Sequence, residues 1–265
     1  MAYEHILYET NDNVATITIN RPETRNSLSI QTIKELQSAF KSVARDKAIR
    51  AVVLTGSGKG FSSGADMLEL GSDLSSTDIT EVLRAGLNTL VTMMRNLEKP
   101  IVGAINGAAA GAGGSIALAT DYRIASDNAT FVFAAFVNIG LVPDAGGTYL
   151  LQQLVGQAKA MELVLFADAK TRVTAEKAHE FGIVNQVVET SELQLTAQAV
   201  ASKLANMPTK AIGMTKRALY GANERSLSDA MDYEAQLQGA AFKTHDFQEG
   251  VSAFLEKRAP VFKGE

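Results

Sequence analysis

The sequence predicts an α/β fold, because short apolar segments typical of strands alternate with longer segments that have the spacing of amphipathic helices. Residues 14–19 and 51–55 are rich in β-branched side chains and are predicted strands. Between them, apolar residues recur every three or four positions. Strand, helix, strand in this order is typical of right-handed parallel crossovers, in which helices cover both faces of a sheet.

The elements of the first half follow this alternation in order. The first predicted helix has Ser29 as its N-cap and an apolar face made of Ile30, Ile33, Leu36, Phe40 and Val43. A second helical stripe runs from Ile79 to Leu97 and stops at Lys99 and Pro100, because proline does not continue a helix. Further predicted strands are 101–105, 122–125 and 130–133, and residues 115–120 resemble a helix.

The second half is mainly helical. Helices are predicted at 158–166, 174–181, 191–205, 210–222, 227–238 and 246–257, with one short strand at 183–188. No linker rich in Pro, Gly or Ser divides the halves, so we expect these helices to pack on the same body or on a neighbouring subunit. The polar, Ser-rich segment 71–78 is predicted to be a mobile loop near a functional site.

Composition excludes several classes of function. The 265 residues carry a net charge of −4, which disfavours nucleic acid and anionic membranes as partners. The chain has no cysteine, so disulfides, thiolate metal sites and a cysteine nucleophile are excluded, and the three histidines lack neighbours at metal-ligand spacing. We therefore expect no metal site. The first residues lack a basic region followed by an apolar one, and the expected location is cytoplasmic.

The most informative segment is residues 107–114, which consists of four glycines and four alanines. It lies between the predicted strand 101–105 and the helix-like segment 115–120. A helix that begins in such a run presents unpaired backbone N–H groups at its positive end, with almost no side chains in the way. The run therefore predicts a place for an anion, or for an atom that becomes anionic during a reaction.

A second glycine-rich segment, residues 56–66, follows the predicted strand 51–55. A phosphate loop is disfavoured, because Gly58 and Lys59 are followed by Gly60 instead of Ser or Thr. A β-turn explains residues 56–60 but not the small residues 63–65. Two such strand-to-helix transitions can each present one N–H group to the same oxygen, which makes an oxyanion hole.

Asp144 is an acidic residue in an apolar segment, residues 138–148. An apolar environment raises the pKa of a carboxyl group toward the range that suits proton transfer. Asp144 also fits the N-cap of a helix that begins near Gly147. The residues alone leave both interpretations open.

These segments resemble the crotonase superfamily, also called the enoyl-CoA hydratase/isomerase family. The resemblance rests on Asn20-Arg21-Pro22, Asn26-Ser27-Leu28, and residues 61–66, 106–121, 140–147 and 254–262. It covers essentially the whole chain in the family's order. The GLVPDAGG segment at 140–147 is similar above all to ring-epoxide isomerases of phenylacetate degradation and, more distantly, to enoyl-CoA isomerases.

The resemblance implies a spiral of β-β-α turns at 1–200 and a helical oligomerisation region at 201–265. It implies trimers or dimers of trimers that act on acyl-CoA thioesters without a separate cofactor. The implied oxyanion-hole donors are the N–H groups of Ala65 and Ala112. Residues implied in binding the CoA and acyl parts are Arg25, Ser63, Gly64, Asp66, Gly111, Phe136 and Lys257, with Phe254 as a further contributor.

The positions of the carboxylates indicate the reaction. Hydratases of this family use two glutamates, and the matching positions here are Ser115 and Phe136, neither of which activates water. Asp144 matches the single acid/base residue of the family's double-bond isomerases. The hypothesis is an acyl-CoA isomerase with Asp144 as proton shuttle. Alternatives are a hydratase, a dehalogenase or decarboxylase with Asp144 in another role, and an RNA-binding relative, which the charge disfavours.

Overall fold

A computed structural model of the chain describes residues 3–71 and 78–265, in which strands and helices alternate through the first half. The strands of these ranges are β1 Ile6–Asn11, β2 Val14–Ile19, β3 Ala51–Gly56, β4 Gly60–Ser62, β5 Ile101–Ile105, β6 Ala108–Ala110, β7 Tyr122–Ser126, β8 Thr130–Val132, β9 Val173–Thr174 and β10 Gln186–Val188. The helices are α1 Ile30–Arg45, α2 Met67–Gly71, α3 Ile79–Leu83, α4 Thr89–Asn96, α5 Ala112–Ala119, α6 Gly147–Phe166, α7 Ala175–Glu180, α8 Leu193–Ala205, α9 Thr209–Tyr220, α10 Leu227–Ala241 and α11 His245–Glu256. Residues 72–77, which make up most of the predicted mobile loop, lie outside the described residues.

The strands form two sheets. The six-stranded sheet has the order β1-β2-β3-β5-β7-β10, with β1 antiparallel to β2 and the other pairs parallel. The four-stranded sheet has the order β4-β6-β8-β9, with β9 antiparallel to β8. Because β3, β5 and β7 lie in the first sheet and β4, β6 and β8 in the second, each successive pair makes one turn of a spiral. This confirms the predicted α/β class and the spiral of β-β-α turns.

The core occupies both sides of the six-stranded sheet. On one side, helices α1, α4 and α5 and the second sheet bury the largest side chains, among them Phe40, Phe61, Leu90, Ile105 and Phe131. On the other side, α8 packs against β3, β5 and β7 through Leu193, Ala197, Ala201 and Ala205. Burial on both faces explains why every residue of β3 and β5 is buried and why nearly all of them are apolar, Thr55 being polar.

Local signals in the sequence explain several element boundaries. The Ser29 side chain accepts a hydrogen bond from the Thr32 N–H, so Ser29 caps α1 as predicted. The long predicted stripe 79–97 is one helical path with a π-helical turn at Arg84–Asn88 between α3 and α4. The Gln37 amide and the Thr89 hydroxyl donate to carbonyls of this turn, which satisfies groups that the wider turn leaves unpaired.

The structure differs from the predicted elements in two respects. Strands β1, β4, β6 and β9 are additional, and β6 lies within the glycine-alanine run between β5 and α5. Helix α6 begins at Gly147, well before the predicted start at residue 158. Gly156 interrupts α6 with φ 76° and ψ 161°, so the two halves of the helix do not share one apolar periodicity.

The C-terminal helices are tied to the core through a buried guanidinium. Arg50, which precedes β3, donates hydrogen bonds to the Thr209 hydroxyl at 2.9 Å and to the Phe262 carbonyl at 2.8 Å. The predicted domain boundary at residue 200 lies inside α8, which packs on the sheet, and the division into two domains stays a prediction. None of the helices in the described ranges is long and apolar enough to cross a bilayer.

Candidate active site

The two glycine-rich segments meet at the ends of β4 and β6, which are neighbours in the four-stranded sheet. Gly64 has φ +93°, and a Cβ at this residue would lie 2.8 Å from the Ala110 carbonyl oxygen and 3.2 Å from the Ala112 nitrogen. Any side chain here would push the segments apart. Gly64 is therefore required both for its backbone conformation and for the close approach of the two loops.

Two backbone N–H groups at this junction are free to bind an external acceptor. Ala65 forms an isolated bridge with Leu28 in which the Gly64 carbonyl and the Asp66 N–H make the hydrogen bonds, at 2.8 and 3.2 Å. Ala112 is the first residue of α5, where an N–H has no partner within the helix. Within residues 3–71 and 78–265, neither the Ala65 nor the Ala112 N–H has an acceptor. Such a pair of donors can stabilise a developing oxyanion.

Two buried side chains hold the Ala65 segment in place. The Ser62 hydroxyl donates to the Asn26 carbonyl at 2.8 Å and accepts from the Gly64 N–H at 3.2 Å. The Asn26 amide donates to the carbonyls of Ser57 and Gly60, at 2.9 and 2.8 Å. Ser62 is not among the site residues that the sequence predicts. The signal available was its position between the strand and the small residues of the second segment.

The residues predicted to contact CoA near this segment lie together. The Ser63 N–H donates to the Arg25 carbonyl at 3.0 Å, and the Arg25 side chain is exposed. The Asp66 carboxylate accepts from Arg21 at 2.8 Å and from the Ser27 hydroxyl at 3.0 Å, and the Arg21 hydrogen bond lowers the pKa of Asp66. Asp66 thus anchors the segment through its side chain and also through its N–H, which donates to the Leu28 carbonyl at 3.2 Å.

Gly111 and Phe136 form an apolar wall beside Ala112. Gly111 has φ 52° and ψ −129°, a conformation that favours glycine. A Cβ at Gly111 would lie 3.7 Å from the Phe136 ring, so the ring covers this part of the backbone. Phe136 is only 8% exposed. An apolar ring at this point keeps water away from the adjoining donors.

Asp144 lies in the loop that leads into α6, and its carboxyl group is partly buried. Its Oδ1 atom is buried and has no hydrogen-bond partner in the described part of the chain. Burial raises the pKa of this carboxyl from its ordinary 3.8 to about 6. The N-cap interpretation is wrong, because Gly146 is the N-cap of α6 and the Gly147 N–H donates to the Asp144 backbone carbonyl, not to its side chain.

Ser115, which is buried, connects α5 to the Asp144 loop. Its hydroxyl donates to the Asp144 carbonyl oxygen at 2.9 Å. The structure therefore brings Ala65, Ala112, Gly111, Phe136 and Asp144 into one region, built from β4, β6, α5 and the segment before α6. Neither Ser115 nor Phe136 carries a group that takes up a proton from water near neutral pH.

Two predicted contributors, Phe254 and Lys257, belong to α11 or follow it directly. Lys257 has a left-handed conformation with φ 54°, and its N–H donates to the Phe254 carbonyl at 3.3 Å. In the described ranges neither residue makes a hydrogen bond or ion pair with Ala65, Ala112 or Asp144. No group of three or more His, Asp or Glu side chains among the described residues is arranged to hold a metal ion.

Comparison with known proteins identifies the fold and the family. The family model for enoyl-CoA hydratase/isomerase matches residues 9–265. The chain belongs to the enoyl-CoA hydratase/isomerase family. The structure is similar to a crystal structure of enoyl-CoA hydratase from Bacillus anthracis, with a TM-score of 0.91, 32% sequence identity, and coverage of 99% of this chain and 100% of that chain.

Relatives within the enoyl-CoA hydratase/isomerase family include proteins named for both reactions. The chain is 41% identical over 264 residues to 1,2-epoxyphenylacetyl-CoA isomerase of Escherichia coli K12, which covers 99% of each chain. It is 40% identical over 264 residues, the full length of both, to a protein of Rhodobacter capsulatus named "probable enoyl-CoA hydratase". Family membership therefore shows an enzyme of the crotonase fold and leaves the choice of reaction to the site.

Proposed function

We propose that this enzyme is an acyl-CoA double-bond isomerase in which Asp144 carries a proton between two carbon atoms of the substrate. The observation that supports this most is the Asp144 carboxyl, which is partly buried and has an unpaired Oδ1. The positions matched to the two hydratase glutamates hold Ser115 and Phe136 instead. One carboxylate is sufficient for an allylic shift, whereas the usual hydration mechanism uses two.

The proposed reaction converts a 3-enoyl thioester to its 2-enoyl isomer. The Asp144 carboxylate removes a proton from the α carbon, and the electron pair of that C–H bond moves into a dienolate. The negative charge on the thioester oxygen is stabilised by the N–H groups of Ala65 and Ala112. Protonated Asp144 then returns the proton to the γ carbon, which restores the carboxylate and leaves the double bond between the α and β carbons.

Binding of the CoA thioester is proposed along the exposed surface next to the Ala65 segment. Arg25 offers a cation for a phosphate group, and the backbone of Ser63, Gly64 and Asp66 lines the adjoining edge. Gly111 and Phe136 would lie beside the acyl group. Lys257 is proposed to contribute from a neighbouring copy of the chain, since in the described ranges it makes no hydrogen bond or ion pair with Asp144 or the N–H donors of its own chain. We propose that no separate cofactor or metal takes part.

The direct test is to incubate the purified protein with a 3-enoyl-CoA and follow the absorbance of the conjugated 2-enoyl product. Asp144→Asn is expected to lower kcat by about a hundredfold or more, because an amide does not accept the proton. Asp12→Asn, in an exposed turn, is the matched control and keeps full activity. Full activity in Asp144→Asn would disprove the assigned role.

A second candidate is hydration of a 2-enoyl-CoA, which the name of the Rhodobacter capsulatus relative favours. Addition of water to crotonyl-CoA by the pure protein, measured as loss of absorbance of the conjugated thioester, would support it. A ring-epoxide CoA thioester belongs in the same panel because of the Escherichia coli relative. The three substrates together separate double-bond isomerisation, hydration and ring-epoxide isomerisation.

We further propose that the enzyme works as a homo-oligomer, a trimer or a dimer of trimers. Large apolar side chains of the C-terminal region are exposed in the single chain, among them Phe254 at 82%, Leu255 at 74% and Val261 at 71%. Contiguous exposed apolar side chains of this kind mark surfaces that another protein covers. The partner proposed here is a second copy of this chain.

A further inference from the structure

The backbone of Asp144 is fixed by two hydrogen bonds to the same atom. Its carbonyl oxygen accepts from the Ser115 hydroxyl at 2.9 Å and from the Gly147 N–H at 2.8 Å. The second bond is local to the loop. The first reaches across 29 residues of sequence to helix α5, whose first residue is Ala112. Ser115 thus links the general-base candidate to the helix that carries one oxyanion donor.

The contact between α5 and the loop leaves no spare volume. A Cβ at Gly147 would lie 2.5 Å from the Ser115 hydroxyl oxygen. Ser115 is 3% exposed. A side chain longer than serine at position 115 would have to displace the start of α6 and, with it, the Asp144 loop.

The loop around Asp144 depends on contacts with other elements because its backbone is strained. Ala145, directly after Asp144, has φ 51°, and Gly146 has φ 73°. A left-handed conformation is unfavourable for alanine and persists only where surrounding contacts impose it. Ala145 is 1% exposed and packs in the core, so a change in this loop would redirect the Asp144 side chain rather than only loosen a surface segment.

We infer that Ser115 is a positioning residue for Asp144, whose hydroxyl sets the direction of the carboxyl group through the main chain. This inference rests on the proposed function for its kinetic consequences. Ser115 does not contact the reacting atoms in this mechanism. It acts by holding the loop against α5 through its hydrogen bond to the Asp144 carbonyl.

Ser115→Ala tests the inference, with Ser126→Ala as its matched control. Ser126, in β7, is also buried, and its hydroxyl contacts the Ile105 carbonyl at 3.2 Å and the Asn128 Oδ1 atom at 2.6 Å. For Ser115→Ala we expect kcat to fall by about tenfold or more while KM changes by less than about twofold, because geometry at the reacting carbon is lost. Ser126→Ala keeps the wild-type kcat.

The pH profile distinguishes positioning from a general loss of stability. If the loop relaxes, water reaches the Asp144 carboxyl, and its pKa falls from about 6 toward 3.8. The acid limb of kcat/KM then moves to lower pH in Ser115→Ala and stays in place in Ser126→Ala. An unchanged kcat and acid limb in Ser115→Ala would overturn the inference.

Gly147→Ala supplies a second, independent variant. Its added Cβ displaces the Ser115 hydroxyl in the wild type, whereas in the Ser115→Ala background the next atom, Ser115 Cβ, lies at an ordinary 3.5 Å. We therefore expect the single variant Gly147→Ala to have a lower kcat than the wild type. In the Ser115→Ala background the same substitution should have little further effect. Effects that multiply in the double variant would contradict a shared contact.

The inference stays testable if the chain proves not to be an isomerase. Titration of ¹³C-labelled aspartate carboxyls by NMR, assigned with Asp144→Asn, reports the pKa of Asp144 without turnover. A lower pKa in Ser115→Ala together with an inactive wild type would support the positioning role and reject the proposed function. The same pKa in both proteins would reject the positioning role whatever the activity.

Discussion

The Asp144 carboxyl has a proposed role in catalysis, and its burial also affects the pH dependence of stability. Its pKa is about 6 in the folded protein, compared with an ordinary 3.8, because burial disfavours the charged form. The folded state therefore binds the proton more tightly than the unfolded state. The stability that this proton contributes is fully present below about pH 4 and is lost as the pH rises through about 6.

We therefore expect Asp144→Asn to be more favourable for stability at pH 7.5 than at pH 4. The change that it causes in the free energy of unfolding should differ between the two pH values by about 1–3 kcal/mol. The variant removes a charge that is costly to bury. Urea unfolding of both proteins at the two pH values measures the difference. An equal effect at both pH values would mean that the folded carboxyl titrates as it does in the unfolded chain.

The activity of the wild type is expected to depend on the ionisation of Asp144 as well, but it should rise with pH where the stability falls. Because the base must be ionised, kcat/KM for a 3-enoyl-CoA should be constant above about pH 7 and fall about tenfold per pH unit well below 6. A steady-state profile between pH 4.5 and about 8.5, with protein stability checked at each pH, measures it. An acid limb near pH 4 would indicate a solvated carboxyl.

At the scale of elements, the site depends on the close approach of two strand ends. The pairing of β4 with β6 places the Gly64 segment against the start of α5. Glycines lie where the segments touch: a Cβ at Gly113 would lie 2.5 Å from the Ser62 carbonyl oxygen. Small residues in these segments thus serve two purposes. They allow the backbones to pack closely, and they leave the N–H groups of the site uncovered.

Gly64→Ala is expected to lower kcat/KM by about a hundredfold or more and to destabilise the fold by about 2 kcal/mol, because it combines backbone strain with a clash at Ala110. Gly156→Ala is the control. Gly156 also has a positive φ, 76°, but no atom lies within 4 Å of an added Cβ. It should cost about 1 kcal/mol in chemical denaturation and leave activity intact. Equal losses in both variants would refute the close-approach argument.

Most elements with a periodic apolar pattern were predictable, whereas strands β1, β4, β6 and β9 were not. Strands β2, β3 and β5 and helix α1 appear at or near the predicted positions, because their apolar residues repeat over a full face. Strands β4 and β6 have three residues each and no repeat of their own. They form because neighbouring turns of the spiral supply their hydrogen-bond partners. These partners lie far away in the sequence, so no local pattern predicts the strands.

At the scale of the whole molecule, the C-terminal helices present an apolar surface that the single chain does not cover. Phe254 and Leu255 of α11 belong to this surface. Replacement of both by serine is expected to shift the protein from a species of three or six copies to a smaller one. Light scattering coupled to size exclusion measures the mass.

Leu195→Ser is the control for that experiment, since Leu195 of α8 is 70% exposed outside this surface. It should leave the mass of the assembly unchanged. A wild-type protein that runs as a monomer, or a Phe254 and Leu255 double variant with the wild-type mass, would contradict the proposed oligomer.

Local composition and motifs in a fixed order were enough to predict the family, the α/β spiral and the three segments from which the site is built. The tertiary structure was needed to place Asp144 within its segment: its carbonyl oxygen accepts a hydrogen bond from Ser115, 29 residues away, and its side chain does not cap α6. It also decided that Gly64 meets Ala112, since strand pairing brings together atoms that no local pattern relates.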